Sequence, residues 1–150
     1  TDGSEKQATF AVKASKKDDR GKTLTNSDGV SLPVLSVKET RGSGYSKADS
    51  GNTFVLVELQ IENNSSSEIS VNGTFGFDAY CDDYSVDYSF NASMNTKNEI
   101  STTDLQPGRK LKGWKGFEVP QNWKELVVKF TPDVSFWGSG EKIEFVIYNN

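Results

Sequence analysis

The ten residues Thr53-Phe-Val-Leu-Val-Glu-Leu-Gln-Ile-Glu62 constrain the fold more than any other stretch of the chain. Val55, Val57, Leu59 and Ile61 recur at every second position, which is the period of a pleated strand and not of a helix. The intervening residues change from apolar (Phe54, Leu56) to polar (Glu58, Gln60). Such a segment is expected to be a central strand, one face of which is wholly buried.

Shorter runs of the same kind fill the rest of the chain and are separated by turn residues, the signature of an all-β sandwich or barrel. Leu24 belongs to a first strand, and Asn26-Ser-Asp-Gly29 makes a turn. Val30, Leu32 and Val34 alternate before Leu35 and Val37, so the inward face is expected to switch near Pro33, and a proline there implies an edge strand or a bulge. The Gly- and Ser-rich residues 41–52 form a loop at one end of the sandwich. Ile69 and Val71, then Phe75, Phe77 and Ala79, form two further strand stretches interrupted at Asn72-Gly73. Asp82-Asp83 turns the chain into Val86-Asp-Tyr-Ser-Phe90, and the polar residues 91–103 read as a long connection. After the turn Gln106-Pro-Gly108, a strand places Leu111, Gly113, Phe117 and Val119 on or near one face and stops at Pro120. Leu126, Val128 and Phe130, then Ile143, Phe145 and Ile147, alternate in two final strands. No window shows helical periodicity.

With 150 residues the chain is one domain's worth,. Only 34% of residues are hydrophobic, so the core must be thin, as between two sheets that each keep one wet face,. Residues 1–19 mix both charges with Gly, Ser and Gln around a single apolar island at Phe10-Ala-Val12, and read as a flexible tether to a sandwich spanning 20–150,.

Several function classes are disfavoured. The net charge is -4 and no basic run exceeds Lys16-Lys17, so the footprint of a nucleic-acid binder is missing,. Histidine is absent, which removes the commonest general base, the commonest metal ligand and every histidine-based triad,. The single cysteine, Cys81, can form no internal disulfide and reads as a small buried hydrophobe in a strand,. No apolar run is long enough to cross a membrane, and the opening TDGSEKQATF is too polar for a signal peptide,. A chain that begins at Thr1 reads as a mature or trimmed form, which keeps secretion open.

Three groups could carry chemistry. Asp78, Asp82, Asp83 and Asp87 are the densest carboxylates and the only calcium candidates, but their spacing is not that of an EF-hand, and acidic residues at strand turns are common,. Paired carboxylates could serve a small hydrolase, although among 21 acidic residues no pair is singled out,. Aromatic rings stack on sugars and anchor protein partners: Tyr80, Tyr84, Tyr88, Trp114, Trp123 and Trp137 are numerous for so polar a chain,. Most are expected in the core or on strand faces. Phe136-Trp137, within Ser-Phe-Trp-Gly-Ser-Gly, is the ligand-binding candidate, against a ring folded back to plug the sandwich end.

The order of motifs resembles a family of bacterial surface lipoproteins and secreted proteins whose domain label refers to a telomeric-repeat-binding factor. The resemblance is carried by Gly21-Lys-Thr23, the strand from Phe54 to Asn63-Asn64-Ser65, Leu105-Gln-Pro-Gly108, and Gly113-Trp-Lys-Gly-Phe-Glu-Val-Pro120, and it covers roughly residues 20–149. It implies an immunoglobulin-like antiparallel sandwich, similar in architecture to a mycobacterial secreted immunoprotective antigen. It also implies export and tethering through an N-terminal lipidated cysteine that would lie upstream of this chain. No catalytic residue and no cofactor carries over. The expectation is a non-enzymatic, extracytoplasmic binding module for a protein or a cell-wall component, with a carbohydrate-binding module as the alternative.

Overall fold

The computed structural model describes residues 18–134 and 138–150. Strands β1 (Thr23–Thr25), β2 (Val30–Thr40), β3 (Asn52–Asn63) and β8 (Lys110–Pro120) form one antiparallel sheet in the order β1-β2-β3-β8. Strands β5 (Phe77–Cys81), β6 (Tyr84–Val86), β9 (Glu125–Phe130) and β10 (Ile143–Tyr148) form a second, in the order β10-β9-β5-β6. Strands β4 (Ile69–Val71) and β7 (Thr103–Leu105) pair in a separate ribbon.

The two four-stranded sheets pack face to face as a β-sandwich. Val55, Val57, Leu59 and Ile61 of β3 are fully buried and share one core with Leu126, Val128 and Phe130 of β9 and with Phe145 and Ile147 of β10. Within it the rings of Phe77 and Phe130 stack with centroids 4.9 Å apart, a geometry that adds to their area burial.

The period-two run 53–62 is central, as expected, with β2 on one side and β8 on the other. The apolar start of its second face has a cause that the sequence reading did not supply. A helix, α1 (Phe90–Met94), lies against that outer face, where Phe54, Leu56 and Ala92 form a second buried cluster flanked by Ala48 and Trp114. Its N-cap is Ser89, whose Oγ accepts the Ala92 N–H at 3.0 Å,. Gly116 makes the close approach possible, because a Cβ there would sit 2.8 Å from the Ala92 carbonyl oxygen.

The structure corrects two expectations. Residues 91–103 are not a plain connection, since they contain most of α1 and a bridge from Glu99 to Trp114. Of the two alternatives expected near Pro33, an edge strand or a bulge, the structure has the bulge: β2 pairs with β1 and β3, and the register shift falls between Val34 and Ser36, leaving Leu35 as the bulged residue. Phe75 is not in a strand and stands exposed in the turn between β4 and β5. Asp18 and Asp19 are tied to β10. Asp19 N–H donates to Val146 O at 3.0 Å, and the Asp18 and Asp19 carboxylates accept the Tyr148 and Val146 N–H groups at 2.9 and 2.8 Å. The outer edge of β10 is thereby covered. The remainder of the expected tether, 1–17, lies outside the described residues.

Candidate functional site

The sheet orders leave β6 and β8 as edges on one side of the sandwich and β1 and β10 on the other. Between β6 and β8 a cleft of about 530 Å³ opens, bordered by the carboxylates of Asp49, Asp82, Asp87 and Glu118 and by Tyr84 and Tyr88. No Lys or Arg lines it among the described residues. Residues 85–88 separate it from a smaller hollow of about 250 Å³ whose lining includes Phe77, Lys115 and Phe117.

Local sequence explains the placement of these groups. Asp82 and Asp83 have φ of 49° and 73° and form the two-residue turn between β5 and β6, a connection that demands left-handed backbone and tolerates Asp,. The Asp82 carboxylate accepts the Glu125 N–H at 2.9 Å and the Lys124 N–H at 3.2 Å, which fastens the turn to the start of β9. Glu118 Oε2 accepts the Asp49 N–H at 2.8 Å and the Asn52 side-chain amide at 3.0 Å, so the loop before β3 is held at the cleft wall. The carboxylates of Asp49 and Asp87 have no hydrogen bond or ion pair among the described residues, which leaves them available to a ligand. Tyr84 is 79% and Tyr88 52% exposed, so both offer ring faces at the rim,.

Beneath the rim lies an unexpected group. Lys115 is 3% exposed and points inward from β8, between Gly113 and Phe117. Its Nζ donates to the Gly73 carbonyl at 2.5 Å, lies 3.9 Å from Glu99 Oε2, and sits 5.2 Å from the Phe77 ring and 5.8 Å from that of Tyr88. Desolvation holds its pKa below the usual 10.5, and the Glu99 charge partly offsets that,. Chemically it joins the turn before β5, β8 and the 99–100 segment through one buried cation. Cys81, at the end of β5, is buried as expected. Burial, followed by the charge of Asp82, pushes its thiol up to about 11, so it is a poor nucleophile.

The structure divides the sequence candidates. Asp82 and Asp87 border the large cleft, Asp78 borders the smaller hollow opposite Lys129 on β9, and Asp83 projects from the turn. Among the described residues no three His, Cys, Asp or Glu side chains gather as a metal site. Phe136 and Trp137 lie outside the described residues. Trp123 is in the core, Trp114 packs on the outer face beside Phe54, and Tyr80 stands over Lys129 at 5.5 Å. Sequence reasoning missed Asp49, Lys115 and Glu118. For Lys115 a signal existed, because it occupies the same strand parity as the inward Gly113 and Phe117.

The model of the family described as a domain of unknown function, DUF4352, matches residues 19–143. No curated protein matches the chain. Among solved structures, a Bacillus subtilis protein, ycdA, described as a "putative lipoprotein", superposes with a TM-score of 0.65 at 16% identity, over 84% of this chain and 38% of its own. The Bacillus subtilis yjhA protein gives 0.62 at 18% identity, over 89% and 100%. A functionally unknown protein from Listeria monocytogenes gives 0.59 at 10% identity, over 89% and 85%. At these identities the likeness is one of fold, and the chain spans little more than a third of the ycdA protein. The family match extends over most of the sandwich, from the β10-edge clasp to the start of β10: the chain belongs to the DUF4352 family.

Proposed function

We propose that the chain is a non-enzymatic binding module of an extracytoplasmic, lipid-tethered envelope protein, and that its partner seats in the cleft between β6 and β8. The observation that carries this reading is the cleft itself: a concave site of ligand-sized volume with two unengaged carboxylates and two exposed tyrosines at its rim,. Support for export comes from the "putative lipoprotein" description of the ycdA protein. The lack of histidine supports a site that holds rather than transforms its ligand,. An immunoglobulin-like origin of the sandwich is part of the same proposal.

A residue-resolved NMR titration of the chain with soluble peptidoglycan fragments, neutral oligosaccharides and a cationic peptide tests the reading. Saturable shifts confined to residues 85–89 and 118–120 are expected. Shifts clustered on another face would overturn it. Carbohydrate binding is the second reading, favoured by the exposed Tyr84 and Tyr88; it requires the neutral sugars to shift those two residues first.

A further inference from the structure

We propose that the outward side of α1 and the 41–48 loop beside it form an interfacial contact for an anionic lipid bilayer. This goes beyond the binding reading of the cleft and does not rest on it.

Helix geometry gives the first argument. Ala92 is the buried residue of α1 and packs against Phe54 and Leu56; at about 100° per residue, Phe90 and Met94 both fall on the opposite side of the helix, one turn apart,. They are 66% and 58% exposed and line neither the cleft nor the smaller hollow. The neighbouring loop adds a second ring. Ala48 N–H donates to Arg41 O at 2.9 Å and closes the neck of the loop, Ser46 N–H donates to Ser43 O at 3.1 Å and makes a tight turn at its tip, and Tyr45 stands fully exposed in that turn,. The side chain of Asn95, the C-cap of α1, donates to Ser46 O at 2.8 Å, which fastens the loop to the end of the helix. Apolar side chains that project outward instead of lining a hollow suit the yielding headgroup layer of a membrane, where aromatic rings concentrate.

Charge selects the occupant. Five exposed cations lie around the patch: Arg41 and Lys47 flank the loop, Lys97 follows α1, Lys38 Nζ lies 5.7 Å from the Trp114 ring on the same outer face, and Lys112 shares the strand parity of Trp114. Their side chains make no hydrogen bond and no ion pair among the described residues. The carboxylates of the cleft lie at the other end of the helix, where Asp87 precedes it and Ser89 Oγ donates to Glu118 at 3.5 Å. An anionic surface therefore draws in the loop and the C-terminal end of α1 and leaves the cleft turned to solution. A symmetric dimer through this patch would set the five cations against one another, which disfavours a second copy as the occupant.

The test mixes the 150-residue chain with vesicles of equimolar phosphatidylglycerol and phosphatidylcholine, with vesicles of phosphatidylcholine alone, and with no lipid. It reads flotation together with the broadening of amide signals by a spin-labelled lipid. Binding to the anionic vesicles alone is expected, weakening as salt rises, with broadening strongest at residues 44–46, 94 and 97 and absent from Ser85. The double variant Phe90→Ser, Met94→Ser changes only exposed side chains, and its amide spectrum away from α1 should match that of the parent. Its retention on the anionic vesicles is expected to fall on the order of tenfold. Lys47→Gln, Lys97→Gln is expected to lose retention on the order of tenfold as well. Retention that neither variant lowers, broadening centred on another face, or no retention at low salt overturns the proposal. Equal retention on neutral vesicles overturns the selection by charge. Self-association without lipid that Phe90→Ser, Met94→Ser abolishes would make a second copy the occupant.

Discussion

Lys115 Nζ lies 3.9 Å from Glu99 Oε2 inside a sandwich whose other inward residues on β8 are glycine and hydrophobes. A buried cation with one distant carboxylate partner is held chiefly by the Gly73 carbonyl and by the ring faces of Phe77 and Tyr88. Such groups add little net stability, because desolvation offsets the attraction. Replacing Lys115 by methionine, which keeps the stem and removes the charge, is therefore expected to change unfolding free energy by no more than about 1 kcal/mol. Lys115→Ala, which also leaves a cavity, is expected to lose about 2–3 kcal/mol. Urea denaturation of the three proteins measures both.

The same residue has a pH signature. An unfolded lysine keeps its proton up to 10.5, whereas the folded Lys115 releases it at lower pH. Between those two values the unfolded chain binds more protons, so this residue's contribution makes stability rise with pH across that window. The stability difference between wild type and Lys115→Met should be flat at neutral pH and move in favour of the wild type as pH climbs towards 10.5. A difference that stays flat to 10.5 would show that Lys115 titrates as an ordinary surface lysine.

Cys81 gives a chemical test of the β5–β6 hairpin. Its thiol is pushed from 9.0 up to about 11, a shift equivalent to about 100-fold less thiolate at pH 8 than in the unfolded chain. Alkylation by iodoacetamide should be slower in the native protein by at least that factor. Native labelling at the unfolded rate would mean that the hairpin opens freely.

The turn residues should respond in opposite directions. Asp83 has φ of 73° with no side-chain hydrogen bond among the described residues, so Asp83→Gly is expected to stabilise by about 0.5–1 kcal/mol. Asp82 fastens the turn to Lys124 and Glu125, and Asp82→Ala is expected to lose about 1–2 kcal/mol. Thermal unfolding distinguishes the two signs.

Much of the fold could be read from alternation, because a residue's strand parity decides its face without help from distant contacts. The runs at 53–62, 126–130 and 143–147 all became strands with the expected inward residues. α1 could not be read that way: its five residues span little more than one helical turn, and it buries only Ala92,. Its trace lay in β3, where Phe54 and Leu56 are apolar on a face that would otherwise be wet. The cleft had no local signal at all. It arises because β6 and β8, distant in sequence, end their respective sheets on the same side. Asp82 and Asp87 could be singled out as carboxylates, but their partners Asp49 and Glu118 could not, since tertiary pairing alone brings them to the same wall.

Whether the β6–β8 cleft is the working surface can be measured in the source organism, by placing a photo-crosslinking amino acid at Tyr84 and, in a second strain, at Thr23 on the far β1 edge. Both positions are exposed, and they lie on opposite sides of the sandwich. A binding cleft requires a discrete adduct from position 84 and none from position 23. Equal adducts from both positions, or an adduct only from position 23, would place the working surface elsewhere.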